Sequence, residues 1–431
     1  MRPAPPLLLK NARVIDPANG LDDKRSLLIR DGIIIAVAKQ IRQNSLPEGT
    51  KQVDLRGSWL LPGFIDMHVH LREPGEEYKE DIASGTKAAA AGGFTAVACM
   101  PNTKPVNDSA ALTAMIIQKA RTAHARVYPV AAISLGSKGQ SLAEFGELKG
   151  AGAVAVSDDG LPVENSQLMR RALEYATNHQ LLVISHSEEL SLSRAGAMNE
   201  GALSTRLGLR GIPRAAEDIA VARDISLAAY TNRPVHIAHI STKESVELIR
   251  QAKKAGYPVS AETAPHYFSL TEEAVGLYDT NAKMNPPLRT SQDVAAIKKG
   301  LADGTIDAIA TDHAPHSPLE KEVEFDRAAN GIIGLETAVP LALELVREGV
   351  LHERDLARLF SINPARLLGV EGGSLAVGGR ADLTVIDPER EFVYSAAAVI
   401  SKSRNSPFIG RSFKGKAILT ITDGIITFSD L

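Results

Sequence analysis

Eight short apolar runs, spaced by helical stretches, constrain this chain's fold more than any other feature. They are 59–68, 94–99, 127–133, 153–157, 181–186, 235–239, 257–262 and 306–312. Each is continuously apolar rather than alternating, the pattern of a strand buried on both faces. Such strands separated by helices build a parallel sheet covered on both sides. An Ala-rich stretch from 77 to 91 reads as a helix stopped by Gly92-Gly93. Further helices are expected near 110–122, 167–178 and 215–230. Ser241-Thr242-Lys243-Glu244 has the form of a capping box opening a helix to Lys254. Eight strand-helix units between residues 57 and 365 point to a (β/α)8 barrel with insertions. A doubly wound open sheet shares this periodicity and stays open as the alternative.

At 431 residues the chain exceeds one ordinary small domain, so something must flank the barrel. Both ends read as short strands and turns, with Asp31-Gly32 as a hairpin signal. Neither end is large enough to be comfortable alone. The expected class is therefore α/β: a barrel over 57–365 and a small composite β domain, a sandwich, made of 1–56 with 366–431. Net charge is −3, which provides no basic field for nucleic acid. Cys99 is the lone cysteine, so no internal disulfide framework exists and a reducing compartment fits. Its own pattern is that of a small buried apolar residue. The apolar run within residues 1–10 is too short for a signal peptide or membrane span. A cytoplasmic protein without membrane contact is expected.

In a barrel of this kind chemistry sits at the C-terminal ends of the strands. Those ends carry His68 and His70, Asn102, Asp158-Asp159, His186, His239 and Asp312. Residues two apart on a strand share a face, so His68 and His70 present both imidazoles together, and Arg72 joins them if the extended backbone continues. Singly, each position has an ordinary reading: a core histidine for His186 or His239, a helix cap for Asp312, a turn for either aspartate before Gly160. Together, four imidazoles and two or three carboxylates converge on the axis. That set suits two metal ions bridged by a carboxylate, which can hold hydroxide and polarise a carbonyl. Spacing leaves Asp158 and Asp159 undecided. His124, His179 and His352 read as structural, His236 as facing away from the site, and His266 and His313 as undetermined.

The run 66–74, Asp-Met-His-Val-His-Leu-Arg-Glu-Pro, resembles the first signature of dihydroorotases. Ala310-Thr311-Asp312-His313-Ala314-Pro315-His316, with Lys321 following, resembles the second. Met100-Pro101-Asn102-Thr103, Asn285-Pro286-Pro287-Leu288-Arg289 and 331–337 are similar to segments of the longer, class I bacterial enzymes, and the likeness extends to Asn363-Pro364-Ala365 and 379–383. The HxH pair alone specifies only the amidohydrolase superfamily. The stretch from Asp312 to Lys321 is far more specific.

The resemblance implies roles. His68 and His70 would bind one zinc ion with Asp312; His186 and His239 would bind a second, with Asp159 as the bridge. Arg72, Asn102 and His316 would hold a substrate carboxylate, for which a guanidinium fork is suited. Asn285 and the backbone at Asn330 and Gly331 would meet the ring amide. Asp312 would act as general base and then acid in reversible hydrolysis of L-dihydroorotate to N-carbamoyl-L-aspartate, the cyclisation being the biosynthetic direction. Expected partners are a second copy in a homodimer and aspartate transcarbamoylase. The segment 312–331 is the expected lid. Ala328-Ala329-Asn330-Gly331 departs from a Pro-Phe-Gly type of sequence in many relatives, which matters if a side chain there touches substrate.

Two other readings compete. Hydantoinases, dihydropyrimidinases and allantoinases cut similar cyclic amides, but usually bridge their metals with a carboxylated lysine at the end of the fourth strand. Here that end carries Asp158-Asp159, and Lys149 precedes the strand. A non-catalytic partner of aspartate transcarbamoylase would have no need of the complete ligand set.

Overall fold

The computed structural model describes residues 5–431; part of the N-terminal run discussed above, residues 1–4, lies outside them. Eight parallel strands form one sheet: Phe64–Val69, Phe94–Cys99, Arg126–Ala131, Ala155–Val156, Leu182–Ser185, Val235–Ile237, Val259–Thr263 and Ala308–Ile309. Their spatial order follows the chain without reversal. A doubly wound sheet would reverse at a switch point. The two edges meet through a parallel bridge between Val69 and His313, where His70 N donates to His313 O at 2.8 Å. The sheet is thus a closed barrel.

The barrel interior is packed with small and medium side chains, including Ile65, Met67, Ala96, Ala98, Ala155, Ile184 and Ala308. The helix Asn363–Leu368 contributes Ala365 and Leu368 to the same cluster. The larger cluster of buried side chains joins the strands' other faces to the surrounding helices, with Phe64 and Phe360 stacked at 5.1 Å.

Both chain ends join a second eight-stranded sheet. Its connecting strand is Trp59–Pro62, parallel to Leu7–Asp16 on one side and antiparallel to Leu383–Val393 on the other. This divides the run expected as a single first barrel strand. The break falls at Gly63, whose N–H goes to Asp382 O at 2.8 Å. A Cβ there would lie 2.3 Å from Thr95 Oγ1, so only glycine lets the chain pass. His68 therefore stands on a short strand anchored at its start by the second sheet.

Two helix starts differ from expectation. The Ala-rich helix begins at Ile82, not near 77, because Asp81 accepts from Ser84 N at 2.7 Å and Glu73 accepts from Ile82 N at 2.9 Å. Glu76 and Glu80 are engaged in tertiary contacts instead, Glu76 with Lys104 at 2.8 Å and Glu80 with Ser401. The helix Lys243–Lys254 is capped by Thr242, which accepts from Ser245 N at 3.1 Å. Ser241 is not the cap: its N–H goes to Glu217 at 2.8 Å and its Oγ accepts from Arg289 at 3.1 Å.

Candidate metal centre

The barrel brings the histidines and aspartates at its strand ends into one buried cluster. His68, His70 and Asp159 form one potential ligand triad; Asp159, His186 and His239 form another. Asp159 Oδ1 lies 3.3 Å from His68 Nε2 and 3.5 Å from both His186 Nδ1 and His239 Nε2, while its Oδ2 is 3.5 Å from His70 Nε2. Asp312 Oδ1 is 3.1 Å from His70 Nε2 and 3.7 Å from His68 Nε2. Ligand atoms bound tetrahedrally at ordinary zinc distances stand about 3.3 Å apart. Two atoms at the centre, His68 Nε2 and Asp159 Oδ1, are buried without a hydrogen-bond partner. Buried polar atoms are normally satisfied, so these orphans and the nitrogen-oxygen donor set fit a divalent cation.

Asp158 does not join the cluster. It accepts from Ile133 N at 2.8 Å and Ser134 N at 3.1 Å, which fixes the turn that delivers Asp159.

Strand parity places only some of these groups. Ile184, a barrel-interior residue, pairs with His236, so His236 faces inward as well. This corrects the expectation that it faces away. It bonds Ser260 at 2.8 Å and Glu262 at 3.2 Å, beneath the cluster. His239 reaches the centre because the strand ends at Ile237 and the backbone turns at His239 with φ +32°. Asp312 (φ +49°) and Arg72 (φ +60°) are turned in the same way, so Arg72 does not continue an extended strand. Left-handed backbone at non-glycine residues is uncommon and concentrates at functional sites.

Outer nitrogens of three of the histidines are engaged. His68 Nδ1 pairs with Glu262 at 2.8 Å, His70 Nδ1 with Asn102 Oδ1 at 2.8 Å, and His186 Nε2 with Glu188 at 3.0 Å. Such partners fix tautomer and ring orientation. From sequence, Glu262 and Glu188 are passed over and His236 is turned away. Glu262 closes the apolar run 257–262, one residue before the strand's last residue, Thr263, a signal that was available; Glu188 and His236 needed the tertiary contacts.

The cluster's electrostatics follow from burial opposed by close charges. Burial alone would raise Asp159, but the charge of His68 and the adjacent His186 and His239 imidazoles hold it well below the usual carboxylate range. Burial is likewise outweighed at Glu262, held down to about 2 by His236 and His68. For His186, burial is overcome by Asp159 and Glu188, which raise it to about 10.

A cavity of about 190 Å³ opens on this cluster, lined also by Arg72, Asn102, Asn285, His316, Asn330 and Gly331. Arg72 is 8% exposed, with Nε donating to Pro315 O at 3.1 Å. Burial and the Arg72 charge push His316 down to about 3, so it is neutral beside the guanidinium. Its Nε2 donates to Asn330 O at 2.8 Å. The Gly331 backbone is already committed: its N–H goes to Lys283 O at 2.9 Å, and its carbonyl accepts from Lys321 at 3.0 Å and Asn405 at 3.1 Å. Lys321, buried, also donates to Ala329 O at 2.7 Å and Lys283 O at 3.3 Å. The altered residues at 328–330 therefore sit in a loop held by backbone bonds. Lys149 is remote from the fourth strand's end and reaches only Gln180 O, at 3.3 Å.

The Dihydro-orotase-like family matches residues 57–245. The chain is 58% identical over 423 residues to the dihydroorotase of Geobacter sp. (strain M21), covering 98% of this chain and 99% of that one. It is 59% identical to the dihydroorotase of Geotalea daltonii, covering 97% and 98% respectively. Among solved structures, the L-hydantoinase (dihydropyrimidinase) from Arthrobacter aurescens superposes with a TM-score of 0.88 at 23% identity, covering 98% of this chain and 96% of that one. The dihydropyrimidinase from Brevibacillus agri gives 0.85, also at 23% identity, over 98% and 95%. Those two likenesses concern the fold.

Proposed function

The chain belongs to the dihydroorotase family of metal-dependent cyclic amidohydrolases, and on that premise we propose how its residues interconvert L-dihydroorotate and N-carbamoyl-L-aspartate. The observation that carries the reading is the pairing, in one cavity, of a buried guanidinium with a metal-ligating cluster. A neutral cyclic amide has no carboxylate for Arg72 to meet; dihydroorotate has one.

His68, His70 and Asp312 would hold one ion, His186 and His239 a second, and Asp159 both. We take the ions to be zinc, which suits a histidine and carboxylate set. When bound, such ions polarise the scissile carbonyl and make water a competent nucleophile near neutral pH.

The remaining work falls to the chain. Arg72 and Asn102 orient the substrate carboxylate, joined by His316 once its N–H exchanges Asn330 O for the substrate, and Asn285 and Asn330 meet the ring. Asp312 takes a proton from the attacking water as the carbon–oxygen bond forms. It returns that proton to the ring nitrogen as the carbon–nitrogen bond breaks. Cyclisation runs the same transfers in reverse.

A composite β domain of 1–56 with 366–431 beside a 57–365 hydrolase barrel, a homodimer, association with aspartate transcarbamoylase and a cytoplasmic location belong to the same proposal. Among the described residues no helix is long and apolar enough to cross a membrane.

The test is turnover of L-dihydroorotate by the purified, zinc-supplemented protein, with hydantoin and allantoin alongside. Dihydroorotate-specific turnover is expected. Turnover of a neutral cyclic amide instead would overturn the role given to Arg72.

A further inference from the structure

Glu188 lies two residues beyond His186, past the end of the fifth barrel strand. Its Oε2 is 3.0 Å from His186 Nε2 and 3.0 Å from Asn285 Nδ2. An ionised carboxylate can only accept hydrogen bonds, so both neighbours must donate to it. For His186 this keeps a proton on Nε2 and makes Nδ1, 3.5 Å from Asp159, the nitrogen available to a metal ion. For Asn285 it turns the NH2 edge of the amide toward Glu188. The carbonyl oxygen edge is then left for the cavity, which Asn285 lines. The 3.5 Å separation of Asn285 Nδ2 and His186 Nε2 is that of two donors converging on one acceptor.

The opposite wall has the reverse polarity. His70 Nε2 lies 3.1 Å from Asp312 and 3.5 Å from Asp159; with a metal ion held there by its lone pair, the proton is on Nδ1, which donates to Asn102 Oδ1 at 2.8 Å. The Asn102 NH2 edge is thereby turned toward the metal cluster, 3.4 Å from Asp159 Oδ2. With the Arg72 guanidinium it gives this wall two donor groups.

We propose that Glu188 is a positioning and specificity-determining residue. By accepting from His186 and Asn285 together, it obliges Asn285 to present an acceptor, so that the cavity takes a ring N–H on this wall and an anion on the Arg72 wall. The inference rests on the reading of Asn285 as a substrate contact. A ring carrying N-alkyl at that position would leave the Asn285 oxygen buried and unpaired, and sites built around a substrate hydrogen bond reject such analogues strongly.

The experiment is a double-mutant cycle on the full-length, zinc-loaded protein, reading KM for L-dihydroorotate. Glu188→Met, which keeps the bulk and removes both acceptor oxygens, and Asn285→Ala should each raise KM about tenfold, the worth of one hydrogen bond to a charged or well-placed partner. Combined, they should cost no more than Asn285→Ala alone, because Glu188 acts through Asn285. Chelator competition should show one zinc equivalent held about 10-fold more weakly in Glu188→Met, and not in Asn285→Ala. Additive KM penalties would overturn the proposal, as would unchanged KM in Glu188→Met beside a raised KM in Asn285→Ala. An unchanged KM in Asn285→Ala would instead remove the substrate reading underneath, and the inference with it. A second measurement needs no Glu188 variant. Dihydroorotate methylated singly at each ring nitrogen is assayed as an inhibitor. At least one of the two should fail on the wild type and recover on Asn285→Ala. Equal inhibition by both methylated compounds and the parent would overturn the proposal.

Discussion

Glu262 and His68 are 194 residues apart in the chain, yet Glu262 Oε1 accepts from His68 Nδ1 at 2.8 Å inside the barrel. The other carboxylate oxygen meets His236 Nε2 at 3.2 Å, and His236 Nδ1 meets Ser260 Oγ at 2.8 Å. The chain of bonds ends on the one imidazole of the cluster that is wholly shielded from solvent. Replacing Glu262 by Met removes both acceptor oxygens, including the one that fixes the His68 tautomer. Metal affinity should fall about 10- to 100-fold, read by competition with a chelator rather than by activity. Unchanged affinity would show that Glu262 has no hold on the metal.

Asp312→Asn keeps the size of the side chain and removes its basicity. Turnover should fall about 10²- to 10⁴-fold, with KM for L-dihydroorotate within a few-fold of wild type. Steady-state kinetics checks this at matched metal content, and near-wild-type kcat would remove Asp312 from the proton transfer.

Arg72→Met should raise KM for L-dihydroorotate about 10- to 100-fold, the loss of a charge-assisted hydrogen-bonded contact. Arg72→Lys should recover little, because an ammonium cannot reproduce the fork. Equal KM values for the wild type and both variants would show that the carboxylate binds elsewhere.

Lys321 has its ammonium buried among carbonyl oxygens, and burial lowers it from 10.5 to about 7. Between those two values the unfolded chain holds a proton that the folded chain has lost. Stability therefore rises with pH across this window, and the contribution is absent below pH 7. Relative to Lys321→Met, the wild type should gain at most roughly 4 kcal/mol between pH 7 and 10. Urea unfolding of both proteins at several pH values measures the difference, and a flat difference would contradict it.

Gly331 has φ +118°, and a Cβ there would lie 2.5 Å from Ala314 Cβ. Gly331→Ala should cost about 1 to 3 kcal/mol of backbone and steric strain and raise KM, since the loop also carries Asn330. Thermal unfolding and KM measured together test this; a variant unchanged in both would mean the loop gives way freely.

Much of the barrel was legible because its signals are local. Continuous apolar runs mark strands buried on both faces, and a two-residue spacing puts His68 and His70 together whatever surrounds them. The rest depended on how the strands end. Parity pointed away from His236 and could not by itself place His239, because the strand stops at Ile237 and the chain turns at His239. The first barrel strand looked longer than it is because Trp59–Pro62 is equally apolar but pairs with Leu383–Val393.

The amino-acid sequence by itself determined the alternation of elements, the chemical kinds of side chain at the strand ends and the family. Those are properties of single segments, set by periodicity and side-chain chemistry. Spacing left Asp158 and Asp159 open and the family resemblance favoured Asp159, which the fold brings to the histidines; tertiary structure alone decided that Glu262 lies behind His68 and that Glu188 joins His186 to Asn285. These are contacts between segments far apart in the chain, and barrel closure brings them within hydrogen-bonding distance.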